Sequence, residues 1–261
     1  MRAPSDPALQ PARFRAKLLA SRALAEDAHS VQLNAGAVRP RPRMDCYTTF
    51  RELTKREKRG RDFRVRWLAR PSPWLVIAPH GGEIEPGTSE IAEAIAADDL
   101  SLYAFEGIKP RENARLHITS TRFDEPRCTL LLEASRKALS VHGKGGREQL
   151  VLLGGRDVET LERLRRSLER RRFRVEIHPG LALEGRDRAN VCNRSRSGMG
   201  VQLELSHGLR RSLFRSLSAR GRGVKTARFW QLVAGVREGV TRRRRSPAGQ
   251  CATDGADPEG S

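Results

Sequence analysis

Two histidines in this chain stand where an apolar run gives way to glycine: His80 in "WLVIAPHGGEIEPGTSE" and His142 in "KALSVHGKGG". Glycine turns the backbone sharply without steric cost, and such a turn after His80 can bring Glu85 back beside it. Imidazole nitrogen and carboxylate oxygen are donors that Zn2+ accepts, and a catalytic zinc site needs three protein ligands plus a position open to water. His80, Glu85 and His142 supply such a set. A strand-end histidine can also simply bond to backbone, a reading that fits one isolated histidine better than two His-Gly ends with an acid nearby.

A hydrolytic centre of this kind further needs a base for the water proton and donors for the developing oxyanion. "NVCNRSRSGMGVQLELS" offers both: Asn193, Arg194 and Arg196 on a glycine-bearing loop, then Glu204 in a strand whose neighbours Leu203 and Leu205 point to the other face. A carboxylate in an apolar strand is costly unless it has a partner or a task; the alternative is an outward-facing residue on a half-buried sheet. In "LHITSTRFDEPRC", His117 could replace one of the three ligands, and Asp124 could orient a ligand imidazole. Both are read as lining the site. His178 and His207 have no such company and read as structural.

Strands and helices must alternate to place these groups. "WLVIAPHGG", "LSLYAFEG", "ARLHITS", "KALSVHGKGG", "QLVLLGG", "RVEIHP" and "VQLELS" read as strands, several ending at glycine. Between them, "TSEIAEAIAADD" reads as a helix with Ile91 and Ile95 on one face and acids early, favourable to its dipole. "DVETLERLRRSLERRRF" reads as an amphipathic helix with Val158, Leu161, Leu164 and Leu168 inward, and a last helix is expected over Val224 to Val240. This alternation predicts an α/β sheet with helices on its faces, and in such sheets sites form outside the carboxyl ends of strands.

At 261 residues the chain can fill one core. Residues 1–44, rich in Pro, Ala and Arg, are expected to be a disordered or weakly helical basic leader, 45–240 the folded domain, and 241–261 a disordered tail. Lys+Arg 50 against Asp+Glu 31 gives a net charge of +19, which makes a polyanionic partner plausible: nucleic acid, an acidic polymer or an anionic surface. Nucleic-acid binding through the basic ends is the rival reading, but it leaves the His, Glu and Arg constellation unexplained, and aromatics at 5% offer few stacking platforms. Cys46, Cys128, Cys192 and Cys251 lack C-x-x-C spacing and read as separate thiols. No run approaches the ~20 apolar residues of a membrane span, and no signal peptide is recognisable. The expected location is cytoplasmic, with export left open.

"APHGGEIEPGTSEIAEAIA", "LHITSTRFDEP", "SVHGKGG", "LLGGRD" and "NVCNRSRSGMGVQLELSHGLR" follow the order and spacing of the poly-γ-glutamate hydrolase family of bacteria and their phages, which this chain resembles over roughly Tyr47 to Phe214. The resemblance implies a compact zinc-carboxypeptidase-like domain, with a mixed, mostly parallel sheet flanked by helices, one zinc ion, and hydrolysis of γ-glutamyl amide bonds. It also implies His80, Glu85 and His142 as ligands, Glu204 as general base, and Asn193 with Arg194 as holders of a substrate carboxylate, Arg196 assisting. A zinc amidase acting on another γ-glutamyl or peptidoglycan-like amide fits the same residues. Two departures stand out: the ligands follow His-x-x-x-x-Glu rather than the carboxypeptidase His-x-x-Glu, and Ser195 and Met199 occupy positions where glycine and a basic or polar residue are expected.

Overall fold

A computed structural model describes residues 45–177 and 185–241. The readings made for the leader, for His178, for Cys251 and for the tail beyond Thr241 lie outside the described residues. Seven strands form one sheet: β1 (Phe63–Leu68), β2 (Trp74–Gly82), β3 (Ser101–Gly107), β4 (Lys137–Lys144), β5 (Leu150–Gly155), β6 (Arg174–Ile177) and β7 (Val201–Ser206), in the order β1-β3-β2-β4-β7-β5-β6. β3, β2, β4 and β7 run parallel, β1 and β5 join antiparallel to β3 and β7, and β6 runs parallel to β5. The sheet is therefore mixed and mostly parallel, with helices on both faces, as expected.

The pleat sends alternate side chains to opposite faces. On one face Val76, Ala78, Leu139, Val141, Leu203 and Leu205 form a large core. Among the helices that cover it are α2 (Thr88–Ala96), α4 (Val158–Arg170) and α7 (Ala227–Thr241), burying Ile91 and Ile95, Leu161 and Leu164, and Phe229 and Val236 respectively. On the other face Leu75, Ile77, Ala138, Tyr103 and Phe105 pack a second core with Leu53 of α1 (Phe50–Thr54) and Leu131 of α3 (Pro126–Ala134). Short helices α5 (His207–Leu213) and α6 (Ala219–Arg222) follow β7.

Several elements differ from the sequence reading, each for a local reason. "ARLHITS" is not a strand: Asn113–Leu116 forms a 3-10 turn, and the next residues pair with side chains, Thr119 N donating to Asp45 Oδ2 at 2.7 Å. Val158 is exposed: it is the first residue after the Asp157 cap on Thr160 N and stays outside the core that Leu161 and Leu164 enter. The last helix begins at Ala227, where Thr226 Oγ1 accepts from Phe229 N. β1 was not read from the sequence; its alternate arginines do not pattern as a buried strand. Arg64 and Arg66 instead bond Glu106, a buried acid on the neighbouring β3. α3 was missed as well; Pro126 occupies its first turn, where a missing N–H costs nothing, and Glu125 caps it by accepting from Cys128 N. Cys46, Cys128 and Cys192 are free thiols.

Candidate metal centre

His142 and Glu204 are register partners on adjacent parallel strands β4 and β7, so they stand side by side near the carboxyl ends. Both share the face of Ala138, opposite Val201, Leu203 and Leu205. His80 would not reach that face in a regular strand, because Val76 and Ala78 point the other way and the period is two. Ala78 pairs with Ala104 and Gly81 with Glu106, so β2 spends three residues where β3 spends two. This bulge, at Pro79, turns His80 onto the face of Ile77 and His142, a recurrent use of bulges beside sites. Pro79 is tolerated there because a bulge leaves a ladder donor unneeded.

Glycine then completes the turn. Gly82 takes a φ of +63°, and Glu85 N bonds back to His80 O at 2.9 Å, which returns the Glu85 carboxylate to the imidazole. Glu85 Oε1 lies 3.4 Å from His80 Nδ1 and Oε2 lies 3.9 Å from His142 Nδ1, while Gly143 N donates to Oε2 at 2.8 Å. The two Nδ1 atoms are 3.2 Å apart. One ligand atom from each of His80, Glu85 and His142 falls within 4.8 Å of the others.

Two of the three donors, His142 and Glu85, are also in the charge state that a metal needs. His80 Nε2 bonds Ile118 O at 2.8 Å and must donate to it, leaving the Nδ1 lone pair directed at the other two groups. Burial, opposed by Glu85 and reinforced by His80 and His117, pushes His142 down to about 3, so its ring is neutral at ordinary pH. Burial alone would raise Glu85, but His80, His142 and the Gly143 amide hold it down to about 2 as a carboxylate. Burial would likewise lower His80, yet Glu85 and Ile118 O hold it above its usual value, so a metal at Nδ1 would take the place of a proton. Two nitrogens bound to one tetrahedral Zn2+ at about 2.0–2.1 Å stand roughly 3.3 Å apart. The observed 3.2 Å fits that spacing.

Glu204 faces this group. Gln202, two residues earlier on the same face, donates to its Oε1 at 2.9 Å and is itself held by Asn190. Burial and the negative charge of Glu85 raise its carboxyl to about 7, opposed by His80 and Lys144. His117 stacks on His80 with ring centroids 3.9 Å apart, and its Nδ1 bonds Asp45 Oδ1 at 2.7 Å. That bond turns His117 away from service as a ligand through Nδ1, and burial with the adjacent His80 lowers its pKa.

Four residues make bonds that the sequence did not foreshadow. Asp124 is exposed and accepts from Phe50 N, so Asp45, 72 residues from His117, is the carboxylate that orients an imidazole. Asn193 is consumed by its own loop: its amide donates to Gly185 O and Asp187 O and its oxygen accepts from Gly200 N. Arg194 donates to Phe123 O, and its Nε is buried. Arg196 N bonds Ser135 O, just before β4 begins. Six residues of strand then separate Arg136 from His142, about 20 Å along the sheet. The Arg196–Ser197 stretch therefore borders the opposite end of the strands, whereas the Arg194 guanidinium reaches the backbone of Phe123, whose ring centroid lies 6.2 Å from that of His80. Sequence reasoning missed Asp45, Asn190 and Gln202; only a polar residue at i−2 from Glu204 could have pointed to the last.

A family model described as poly-gamma-glutamate hydrolase matches residues 47–235. The chain is similar to the UPF0714 protein YndL of Bacillus subtilis (strain 168), 36% identical over 192 residues that span 72% of this chain and 74% of that protein. It is also 34% identical to the SPbeta prophage-derived UPF0714 protein YoqZ of the same organism, over 73% of this chain and 69% of the other. Among solved structures, a bacteriophage poly-gamma-glutamate hydrolase matches with a TM-score of 0.72 at 31% identity, covering 75% of this chain and 96% of the other. The apo, zinc-free form of YndL matches with a TM-score of 0.71 at 35% identity, covering 74% and 95%.

Proposed function

Because the chain belongs to the poly-γ-glutamate hydrolase family, we propose that it hydrolyses γ-glutamyl amide bonds with one Zn2+ held by His80 Nδ1, His142 Nδ1 and Glu85. One observation carries this reading: two imidazole lone pairs and an ionised carboxylate converge on one point at the carboxyl end of the sheet. The zinc-free description of YndL, 35% identical in structure-based comparison, supports the choice of ion. When bound, zinc supplies a Lewis acid that polarises the scissile carbonyl and acidifies water.

The chain's own residues do the rest. Glu204, fixed by Gln202, accepts the proton of the attacking water and passes it to the leaving amine, a task suited to a carboxyl whose affinity for protons is raised. His117, with Nδ1–H committed to Asp45, presents Nε2 as an acceptor toward substrate. Arg122 and Lys144, cations beside Asp45 and Gly143, are further groups that receive the free carboxylates of a γ-linked glutamate chain, in addition to Arg194. No helix among the described residues is long and apolar enough to cross a membrane, and the basic ends on which nucleic-acid binding rested lie outside them. The test is metal analysis with kinetics on a short γ-glutamyl oligomer and on α-linked and peptidoglycan-type amides. Stoichiometric zinc with preference for the γ-glutamyl oligomer is expected; turnover confined to the other amides would redirect the substrate assignment.

A further inference from the structure

Arg210, on α5, is an arginine placed where a core residue would be expected. Only 5% of it is exposed, while Arg211 beside it faces solvent. Its guanidinium makes three bonds in three directions: Nε to Leu205 O at 3.1 Å, Nη1 to Pro86 O at 2.8 Å and Nη2 to Lys144 O at 3.2 Å. Leu205 adjoins Glu204, Pro86 adjoins Glu85, and Lys144 lies two residues past His142. Each of the three segments that bring a group to the centre is thus tied to the same planar fork.

Gly143 makes room for it. A Cβ at that position would stand 2.6 Å from Arg210 Cζ and 2.8 Å from Nη2, distances that real atoms do not tolerate. The position needs no positive φ, so space rather than backbone freedom is what glycine provides. On its other side the Gly143 amide holds Glu85 Oε2. Among the described residues no carboxylate pairs directly with Arg210; the acids whose charge reaches it are Glu85 and Glu204. A buried guanidinium without an ion-pair partner is costly, and an apolar side chain of similar volume would fill the same space at less cost. The cost falls where the ligands and the base meet.

Building on the metal-binding reading above, we propose that Arg210 is a positioning residue of the centre, which locks the Glu85 turn and the ends of β4 and β7 in one mutual arrangement, and that Gly143 is small in order to admit it. Lysine cannot replace it, since an ammonium on a flexible stem does not present three divergent in-plane donors.

Zn2+ affinity of the purified full chain, measured by chelator competition, tests this directly, alongside kcat and KM on a short γ-glutamyl substrate and the melting temperature of the zinc-free protein. Loss of such an outer support weakens metal binding by roughly 10–100-fold, and Arg210→Met is expected to fall in that range, with kcat reduced and KM changed less than about threefold. Arg210→Lys should recover less than half of that loss on a logarithmic scale. Gly143→Ala should weaken Zn2+ in the same direction, and the double variant should be no worse than Arg210→Met, because both remove one support. Leu213→Ala, a buried neighbour on α5, should lower the melting temperature while leaving Zn2+ affinity unchanged. Native affinity and kcat in folded Arg210→Met, or full additivity with Gly143→Ala, would overturn the proposal. Should Arg210→Met not fold, Gly143→Ala decides: unaltered Zn2+ affinity there sinks it. A native protein that binds no Zn2+ would instead overturn the metal reading.

Discussion

The carboxyl ends of β2, β4 and β7 and the loop of Asn193–Met199, whose Arg196–Ser197 stretch borders the other end of the strands, are comparably rich in polar residues, yet they use them differently. In the loop, Asn193 and Ser197 are satisfied locally, Asn193 by residues from 185 to 200 and Ser197 by Met199, while the Arg194 guanidinium reaches out to Phe123 O. At the carboxyl ends, His80 and Glu85 each have one atom satisfied by a distant segment and another left facing its neighbours. His80 commits Nε2 to Ile118, 38 residues away, and turns Nδ1 inward; Glu85 takes the Gly143 amide and keeps oxygen toward both rings. A polar residue with all its capacity used holds its own chain in place, whereas one half-used and aimed at others of its kind is available to a ligand.

Removing an inward-facing donor should produce the largest effect. His142→Ala or His80→Ala leaves two ligands, and both variants are expected to lose nearly all Zn2+ and turnover while the zinc-free chain still folds. Metal analysis after dialysis checks it; full occupancy in both, with loss in His117→Ala, would move the ligand assignment to His117.

Glu204→Gln comes next. The amide keeps the shape and the bond from Gln202 but takes no proton, so kcat should fall by on the order of 10²–10⁴ with Zn2+ content unchanged. The same variant also carries a stability signature. The folded carboxyl, raised to about 7, holds its proton more tightly than an ordinary glutamate, so its presence costs nothing below pH 4.5, costs progressively more as pH rises through 7, and a constant amount above. Zinc-free Glu204→Gln should therefore be more stable than native protein at pH 8, by about 2 kcal/mol once partial solvent access is allowed for, and the gain should vanish near pH 4.5. Denaturant melts at the two pH values with chelator present decide it; an equal difference at both would show that the carboxyl is not the cause.

In the loop the same kind of substitution should act on stability alone. Asn193→Ala strips partners from Gly185 O, Asp187 O and Gly200 N, and is expected to cost about 1–3 kcal/mol of folding stability. Turnover per folded, zinc-loaded molecule should stay within about twofold.

What could be read in advance follows from the range of the interactions involved. β2 was legible over the run Trp74–Gly82 because a continuous apolar stretch ending in glycines reports a buried parallel strand by itself. The bulge that aims His80 was not, since it exists only relative to the register of β3. Glu204 stood out as an acid in an apolar strand, but its holder Gln202 acquires meaning only through Asn190, and Asp45 through a histidine 72 residues on. β1 was hidden because the acid that neutralises its arginines lies on another strand. The Asn193–Arg196 segment shows the complementary case: residue type and spacing suit a carboxylate clamp, and only the backbone bonds of Arg196 and Ser197 to Ser135 and Arg136 reveal that its end lies at the start of β4.

The smallest effect separates a site arginine from a surface one. Arg196 is exposed, and its backbone rather than its side chain ties the loop to Ser135. Its backbone lies about six strand residues, or roughly 20 Å, from His142, well beyond the ~8 Å Debye length at physiological ionic strength. Arg196→Ala should therefore change stability by less than about 0.5 kcal/mol, and leave kcat/KM on a short γ-glutamyl substrate unaltered. On a long polyanionic chain, which can touch distant parts of the surface at once, KM should rise slightly at low salt and return to the native value as salt is added. Lys144→Ala, beside Gly143, is the matched comparison: it should raise KM for the short substrate at every ionic strength, because the contact it removes is local. If Arg196→Ala damages short-substrate turnover while Lys144→Ala does not, the substrate reaches the far end of the strands, and the division drawn between the two regions is misplaced.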